Sequence, residues 1–197
     1  MDSVRTEWPS AAPRVPVALK ILIAGGFGAG KTTLVASVSE IRPLQTEEVL
    51  STTPGGGAGD PHTVTVTVDF GRITLNEDLQ LYLFGTPGQQ RSGALWDDLA
   101  LGALGAVVLV DPRRPEDCRP SIDQLRRYGT PYVVAVNRFD SAEPGIEDTV
   151  RRALAVARHV PVLRCDARDR QSARNVLIDL VEYVTRRQMT TAGVRQG

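Results

Sequence analysis

The sequence contains few cysteines, lysines and aromatic residues, and it has no excess of either charge. Phenylalanine, tryptophan and tyrosine make up 5% of the 197 residues, and 23 basic residues balance 23 acidic ones. Zero net charge argues against a nucleic-acid-binding protein and against a polybasic membrane-binding segment. The two cysteines, Cys118 and Cys165, match no metal-binding or redox spacing, so we expect two buried thiols in a reducing compartment.

Long apolar segments are also absent. No run approaches the ~20 residues that a transmembrane helix requires, and the first residues lack the basic-then-apolar pattern of a secretory signal. We therefore expect a cytoplasmic protein that does not insert directly into a membrane. The length suits one well-packed domain. We place this domain at residues 17–187, between a mobile, proline-containing N-terminal tail (1–16) and a C-terminal tail (188–197).

One of the two lysines lies in a complete G-x-x-x-x-G-K-[ST] phosphate-binding motif. The motif follows an apolar run that reads as a buried strand, and it precedes a helical pattern. Glycines in such a loop allow backbone N–H groups to converge on a phosphate at a helix N-terminus. The lysine reaches the β- and γ-phosphates, and the threonine hydroxyl ligates Mg²⁺. The sequence therefore predicts a nucleoside triphosphate site made by Gly25, Gly26, Phe27, Gly28, Ala29, Gly30, Lys31, Thr32 and Thr33.

The remaining chain alternates between strand and helix patterns. The segment Arg42 to His62 is rich in glycine and proline, so we expect a long loop beside the phosphate site, or a linker between two domains. Val64 to Phe70 alternates apolar and polar residues, and Leu79 to Phe84 returns as a buried strand, which predicts a hairpin. The expected fold is α/β, a P-loop NTPase fold with a mostly parallel six-stranded sheet, one antiparallel hairpin strand and helices on both faces.

The loops after the predicted strands resemble, in order, the five nucleotide-binding motifs of the Ras-like small GTPases. Gly25–Thr32 resembles the phosphate loop, and Gly85-Thr86-Pro87-Gly88-Gln89 resembles the D-x-x-G-Q motif of switch II. Asn137-Arg138-Phe139-Asp140 resembles N-K-x-D, and Cys165-Asp166-Ala167 resembles the S-A-K loop. Thr65, about twenty residues before the second glycine-rich loop, matches the switch I threonine. The resemblance covers nearly the whole predicted domain.

Within that superfamily, three segments are similar to bacterial proteins encoded in conservon operons beside a roadblock-fold protein and a sensor kinase. These segments are Asp69-Phe70-Gly71-Arg72, Trp96-Asp97-Asp98-Leu99 and Arg164–Asp169. The chain resembles the gliding-motility GTPase MglA more distantly. The resemblance implies a roadblock-fold regulator and a sensor-kinase assembly as partners.

The resemblance also implies a role for individual residues. Asp140 would accept hydrogen bonds from guanine N1–H and N2–H₂, Asn137 would tie its loop to the phosphate loop, and the Ala167 N–H would donate to guanine O6. Thr32 and Thr65 would ligate Mg²⁺. Gln89 would orient the attacking water, with Lys31 stabilising the phosphate charge. Gly88, Arg138 and Asp166 complete the implied nucleotide-binding set.

Three positions depart from the family pattern. Gly85 stands where most of these GTPases have an aspartate that holds Mg²⁺ through water, so the metal loses an anchor. Phe27 stands where Ras has a small glycine, and its bulk predicts slow turnover. Arg138 replaces a lysine whose stem packs on the phosphate loop, which arginine can also do. An intrinsic arginine finger is not evident, although Arg42, Arg72 and Arg91 are candidates.

The sequence thus favours a small GTP-binding switch that binds GTP or GDP with Mg²⁺ and hydrolyses GTP slowly. Two alternatives stay open. A P-loop ATPase or kinase would use Asp111, at the end of an apolar strand, as its metal acid, although an aspartate there also suits a local turn. A non-hydrolysing nucleotide-binding scaffold would be consistent with Phe27 and Gly85.

Overall fold

The computed structural model describes residues 15–51, 63–87, 93–137 and 144–194. These residues form a sheet with helices on both faces. The strands are β1 (Val17–Gly25), β2 (Leu44–Ser51), β3 (Thr63–Asn76), β4 (Leu79–Gly85), β5 (Ala103–Val110), β6 (Tyr132–Asn137) and β7 (Val162–Cys165). The helices are α1 (Lys31–Val38), α2 (Gly93–Ala100), α3 (Arg119–Arg127), α4 (Ile146–Ala153) and α5 (Arg170–Val194), with a 3-10 helix at Pro115–Cys118 before α3.

The sheet has the order β2-β3-β4-β1-β5-β6-β7. Strand β3 runs antiparallel to both of its neighbours, and every other neighbouring pair in the described sheet is parallel. This confirms the predicted α/β class, with its mostly parallel sheet and one antiparallel hairpin strand. The predicted count of six strands was wrong, because the described sheet contains seven.

The additional strand is β2, within the segment for which we predicted a loop or a linker. Its pairing with β3 is continuous from Leu44 opposite Phe70 to Ser51 opposite Thr63. The backbone groups of β2 find their hydrogen-bond partners on the edge of β3, so this pairing overrides the weak local strand pattern. Residues 52–62, the rest of the predicted loop, lie outside the described residues.

Two apolar clusters fill the space between the sheet and its helices. On one face, α1 and α5 cover the sheet with side chains that include Leu34, Val35, Leu177 and Leu180. On the other face, α2, α3, α4 and the residue that follows α4 contribute Trp96, Leu99, Ile122, Leu125, Val150 and Leu154. The central strands β1, β5 and β6 are buried on both faces, as expected for parallel strands between two helical layers.

The last helix is longer than the sequence predicted. Helix α5 continues past the expected end at Arg187 to Val194, so residues 188–194 are helical. The predicted N-terminal tail lies outside the described residues up to position 14, and β1 begins at Val17 as expected. None of the helices in the described ranges is long and apolar enough to cross a membrane.

Candidate nucleotide-binding site

Several of the predicted site residues lie at the carboxyl ends of parallel strands. The carboxyl ends of β1, β4, β5, β6 and β7 share one edge of the sheet, which is where open α/β sheets place their ligands. The site is built around the phosphate loop, residues 25–30, which connects β1 to α1.

The phosphate loop ends in an open helix N-terminus. Gly30 precedes α1 with a φ of 100°, in the left-handed region that favours glycine. The first hydrogen bond of the helix runs from the Leu34 N–H to the Gly30 carbonyl (2.9 Å), and no side chain caps the helix. The N–H groups of Lys31, Thr32 and Thr33 therefore precede the helical ladder, and the helix dipole favours an anion in front of them.

Lys31 is folded over the phosphate loop. Its Nζ donates to the carbonyl oxygens of Gly26 (2.7 Å) and Gly25 (3.1 Å). Burial lowers the pKa of Lys31, and the nearby Cys118 and Asp69 oppose this shift. The other lysine, Lys20, instead donates to two carbonyls at the end of α2. Lys31 is thus the lysine that can bind the phosphates of a nucleotide at this loop.

Asn137 connects three of the loops. It is buried at the end of β6, where its Nδ2 donates to the Ala29 carbonyl in the phosphate loop (2.9 Å). Its Oδ1 accepts a hydrogen bond from the Ala167 N–H in the loop after β7 (3.0 Å). The Ala167 N–H, for which the resemblance implies a bond to guanine O6, is therefore engaged by Asn137 in this structure. The contact between Asn137 and the phosphate loop is the one that the resemblance implies.

Asp69 lies beside the predicted metal ligand Thr32. The Thr32 hydroxyl donates to Asp69 Oδ2 (2.6 Å), and Asp69 is only 7% exposed although it is a carboxylate. A threonine hydroxyl beside a carboxylate is an oxygen donor set that suits Mg²⁺, which keeps its other positions for phosphate oxygens and water. Sequence analysis did not identify Asp69 as a site residue, because in the sequence it is one polar member of an alternating strand.

Asp111, the metal acid of the ATPase alternative, is held by its own loop. Its Oδ1 accepts hydrogen bonds from the Arg113 backbone N–H and Nε (both 2.9 Å), and its Oδ2 accepts one from Arg113 Nη2 (2.8 Å). These hydrogen bonds are the main reason that the pKa of Asp111 lies below its ordinary value. The arrangement favours the local-turn interpretation of Asp111.

An arginine that sequence analysis did not single out lies beside the phosphate loop. Arg114 Nη2 is 3.9 Å from the position that a Cβ would take at Gly28, and the guanidinium is loosely paired with Asp111 (3.9 Å) and Asp117 (3.8 Å). More than half of the Arg114 side chain is exposed (54%). Because these ion pairs are long, its guanidinium could turn to donate to a phosphate bound at the loop. No sequence signal distinguished it from its neighbours in Pro112–Pro115.

Phe27 and Thr86 border the same edge of the sheet. Phe27 is 72% exposed at the tip of the phosphate loop, so its ring is available to a ligand or a partner. Thr86 is buried directly after β4, and its hydroxyl has no hydrogen-bond partner among the described residues. An unsatisfied buried hydroxyl is costly, and a water or ligand oxygen at this edge would satisfy it.

The structure does not bring every predicted site residue to this edge. Thr65 lies on the extended strand β3 at a distance of about 13 Å from Asp69 along the backbone, at the usual rise per residue. Asp166 directly follows β7 at this edge, but its carboxylate accepts a hydrogen bond from Arg168 and its N–H donates to the Ser172 hydroxyl in α5. The remaining predicted residues lie outside the described ranges: Gly88, Gln89, Arg138 and Asp140.

Comparisons with known proteins agree with a P-loop fold. A family model described as "Conserved hypothetical ATP binding protein" matches residues 23–187. The G domain of the T. maritima FeoB iron transporter has a similar structure, with a TM-score of 0.57 and 19% identity over 85% of this chain and 99% of that one. The cytosolic domain of the same transporter in its apo form gives a TM-score of 0.56 and 18% identity over 85% and 64% of the two chains. No curated protein gives a significant sequence match.

Proposed function

The chain belongs to the family of conserved hypothetical ATP-binding proteins. Within this family, we propose that it is a small GTP-binding switch. In this proposal it binds GTP or GDP with Mg²⁺, hydrolyses GTP slowly, and contacts its partners in a nucleotide-dependent way. The P-loop GTPase-like fold accommodates this function, and the residues of the site decide which nucleotide it takes.

The observation that carries the proposal is the position of Asn137. This buried side chain joins the phosphate loop to the loop after β7 through Ala29 and Ala167. The loop that follows Asn137 contains Asp140, which lies outside the described residues. Because Asn137 fixes the start of that loop against the phosphate loop, a carboxylate three positions later can face a base whose phosphates bind at α1. Guanine offers N1–H and N2–H₂ to such a carboxylate, whereas adenine has neither donor.

The family description supplies the second candidate, which is ATP. A P-loop ATPase needs an acidic residue at the metal, and the ATPase hypothesis from the sequence assigned that role to Asp111. The three hydrogen bonds from Arg113 to that carboxylate argue against this role. A carboxylate at the metal, such as Asp69 beside Thr32, would serve either nucleotide, so the choice of base rests on the proposed contact of Asp140 with guanine. On that ground we place guanine ahead of adenine and treat ATP binding as the competing outcome.

The switch itself would involve Thr65. In the structure described here Thr65 belongs to β3, lies opposite Val49 of β2, and is four residues along the strand from Asp69, which contacts Thr32. For Thr65 to ligate Mg²⁺ beside a γ-phosphate, this end of β3 would have to detach from the sheet. Loss of the γ-phosphate would allow it to pair again. A roadblock-fold regulator and a sensor-kinase assembly are the partners that we propose from the resemblance.

Slow hydrolysis is proposed from the composition of the site. Lys31 supplies positive charge at the phosphates, and Gln89 would orient the attacking water. Phe27, which is exposed at the tip of the loop, would restrict the approach of an activating group to the γ-phosphate. Arg114 is the described arginine that stands beside the loop, with its guanidinium largely exposed.

The test is a binding and turnover experiment on the purified full chain. GTP, GDP and ATP compete for the wild-type protein and for Asp140→Ala, with Asp148→Ala as a control that removes an exposed carboxylate from α4. Two lost hydrogen bonds to a charged acceptor, at about 1.5–3 kcal/mol each, predict a fall in guanine-nucleotide affinity of about 10²-fold to 10⁴-fold. ATP binding that equals GTP binding and is untouched by Asp140→Ala would overturn the proposal.

Phosphate release in the same samples separates the switch from an inert scaffold. We expect slow release by the wild-type protein, and slower release by Gln89→Leu with GTP affinity retained. Tight GTP binding without any release by the wild-type protein would support the non-hydrolysing scaffold instead.

A further inference from the structure

The register of the hairpin places Asp69 directly opposite Gly85. In the antiparallel pairing of β3 with β4, Asp69 and Gly85 are partners, followed by Phe70 with Phe84 and Gly71 with Leu83. A Cβ added at Gly85 would lie 3.0 Å from both the Cβ and the Oδ2 of Asp69. The carboxylate of Asp69 therefore crowds the space that a side chain at position 85 would take.

The same carboxylate contacts the residue expected to bind the metal. Asp69 Oδ2 accepts the hydroxyl proton of Thr32 at 2.6 Å. A hydroxyl that donates its proton to a carboxylate turns its oxygen lone pairs away from that carboxylate, where they are available to a cation. Partners of this kind orient metal ligands and raise their affinity for the ion. Asp69 is also close enough to Lys31 for their charges to interact.

We propose that Asp69 is the carboxylate that anchors Mg²⁺ in this protein, by orienting the Thr32 hydroxyl and accepting hydrogen bonds from metal-bound water. The inference rests on the proposed nucleotide-binding function and deepens it. Gly85 then does not leave the metal without a carboxylate, because Asp69 on the neighbouring strand β3 lies beside position 85. A side chain at position 85 would crowd the side chain of Asp69, so the two positions compete for the same space.

This arrangement separates the metal from the loop after β4. An anchor at position 85 would connect Mg²⁺ directly to the segment that begins with Gly85 and Thr86. Asp69 instead lies on β3, which is hydrogen-bonded to β2 and β4. Loss or gain of the metal would therefore act first on β3, the strand that also contains Thr65, rather than on the loop that contains Gln89.

The variants that test the inference move or remove one carboxylate. Asp69→Asn keeps the size of the side chain and an acceptor oxygen, but removes the negative charge. The transposed pair Asp69→Gly/Gly85→Asp returns a carboxylate to the same space from the opposite strand, and Gly85 lies in an extended strand that other residues adopt without strain. Asp111→Asn is the matched control. It also removes a buried carboxylate at this edge of the sheet, but one that is already hydrogen-bonded to Arg113.

The readout is the affinity of the GDP complex for the metal. A fluorescent GDP is bound to the full chain in EDTA, and Mg²⁺ is then titrated while nucleotide dissociation is followed. Mn²⁺ binding to the same complexes is measured by electron paramagnetic resonance. Neither measurement depends on hydrolysis. We expect Asp69→Asn to weaken metal binding by about 10-fold to 100-fold while GDP affinity in EDTA changes little. The transposed pair should recover most of the loss, and Asp111→Asn should match the wild type.

Two results would overturn the inference while leaving the proposed function intact. Wild-type metal affinity in Asp69→Asn would show that the carboxylate is dispensable, and a transposed pair as weak as Asp69→Asn would show that a carboxylate in this space is not what matters. Failure of the wild-type protein to bind a guanine nucleotide, or to respond to Mg²⁺, would instead contradict the proposed function itself. Circular dichroism of each variant shows that the sheet has formed.

Discussion

Replacing Gly30 with alanine tests how closely the phosphate loop is held against Asn137. A Cβ at Gly30 would lie 2.6 Å from Asn137 Nδ2, the atom that donates to the Ala29 carbonyl, and the φ of Gly30 is +100°. Alanine in a left-handed conformation costs about 1–2 kcal/mol. Displacing the buried amide from its acceptor adds about 1–3 kcal/mol. We therefore expect Gly30→Ala to lower the free energy of unfolding by about 2–5 kcal/mol in total.

Gly102→Ala is the matched control for this prediction. Gly102 also has a positive φ (+71°), but no atom lies within 4 Å of the position of its Cβ. It should therefore lose only the backbone contribution of about 1–2 kcal/mol. Urea unfolding without nucleotide, followed by circular dichroism, measures both variants, and nucleotide affinity should fall only in Gly30→Ala. Equal destabilisation of the two variants, with nucleotide affinity unchanged in both, would refute the argument.

Three further predictions follow from other parts of the structure. Hydrogen bonds from Arg113 lower the pKa of Asp111 in the folded state. The ionised carboxylate therefore stabilises the fold above the unfolded pKa of Asp111, and this stabilisation is lost as the pH falls through the folded pKa. Asp111→Asn should accordingly lose less stability below about pH 4 than the wild type does, as measured by acid unfolding. Burial raises the pKa of Cys165 to about 11, so a disulfide thiol reagent should leave this thiol unmodified in the native protein at about pH 8 and react with it in urea. A Cβ at Gly71 would lie 2.7 Å from Val35 Cγ1, so Gly71→Ala should overpack α1 against β3, cost about 1–3 kcal/mol, and lower the melting temperature by about 2–4 °C per kcal/mol.

The phosphate loop and the sheet were predictable because their signals are local. The glycines and Lys31 follow an apolar strand at fixed spacing, and Asn137 directly follows another apolar strand. Each of these patterns is set by residues that are neighbours in the chain. The structure has the phosphate loop between a strand and a helix, and it has Asn137 in contact with that loop. The roles of these residues in binding a nucleotide remain predictions.

Strand β2 could not be predicted because its stability comes from pairing. Leu44–Ser51 contains two adjacent glutamates and no clear alternation, and it is followed by a run of glycines. Only the exposed edge of β3 turns this segment into a strand. The end of α5 was missed because the backbone continues as a helix beyond the last apolar residues of its buried face. The apolar stripe ends near Arg187, but no helix-breaking residue occurs before Gly193, so the backbone continues as a helix.

Asp69 was missed because its importance depends on register. In the sequence it is a polar residue between Val68 and Phe70, where an alternating strand places one. Only the pairing of β3 with β4 puts it opposite Gly85 and next to Thr32. The departure at Gly85 was visible from the sequence, whereas the compensating residue on the neighbouring strand required the three-dimensional pairing.

The central claim is that this P-loop protein binds guanine rather than adenine nucleotides. Equilibrium competition between GTP and ATP for the wild-type chain, in the presence of Mg²⁺, measures this selectivity directly. The account predicts that GTP binds at least about 10²-fold more tightly than ATP, because a carboxylate that finds no donor on adenine is left unpaired. Equal affinity for the two nucleotides, or tighter binding of ATP, would contradict it.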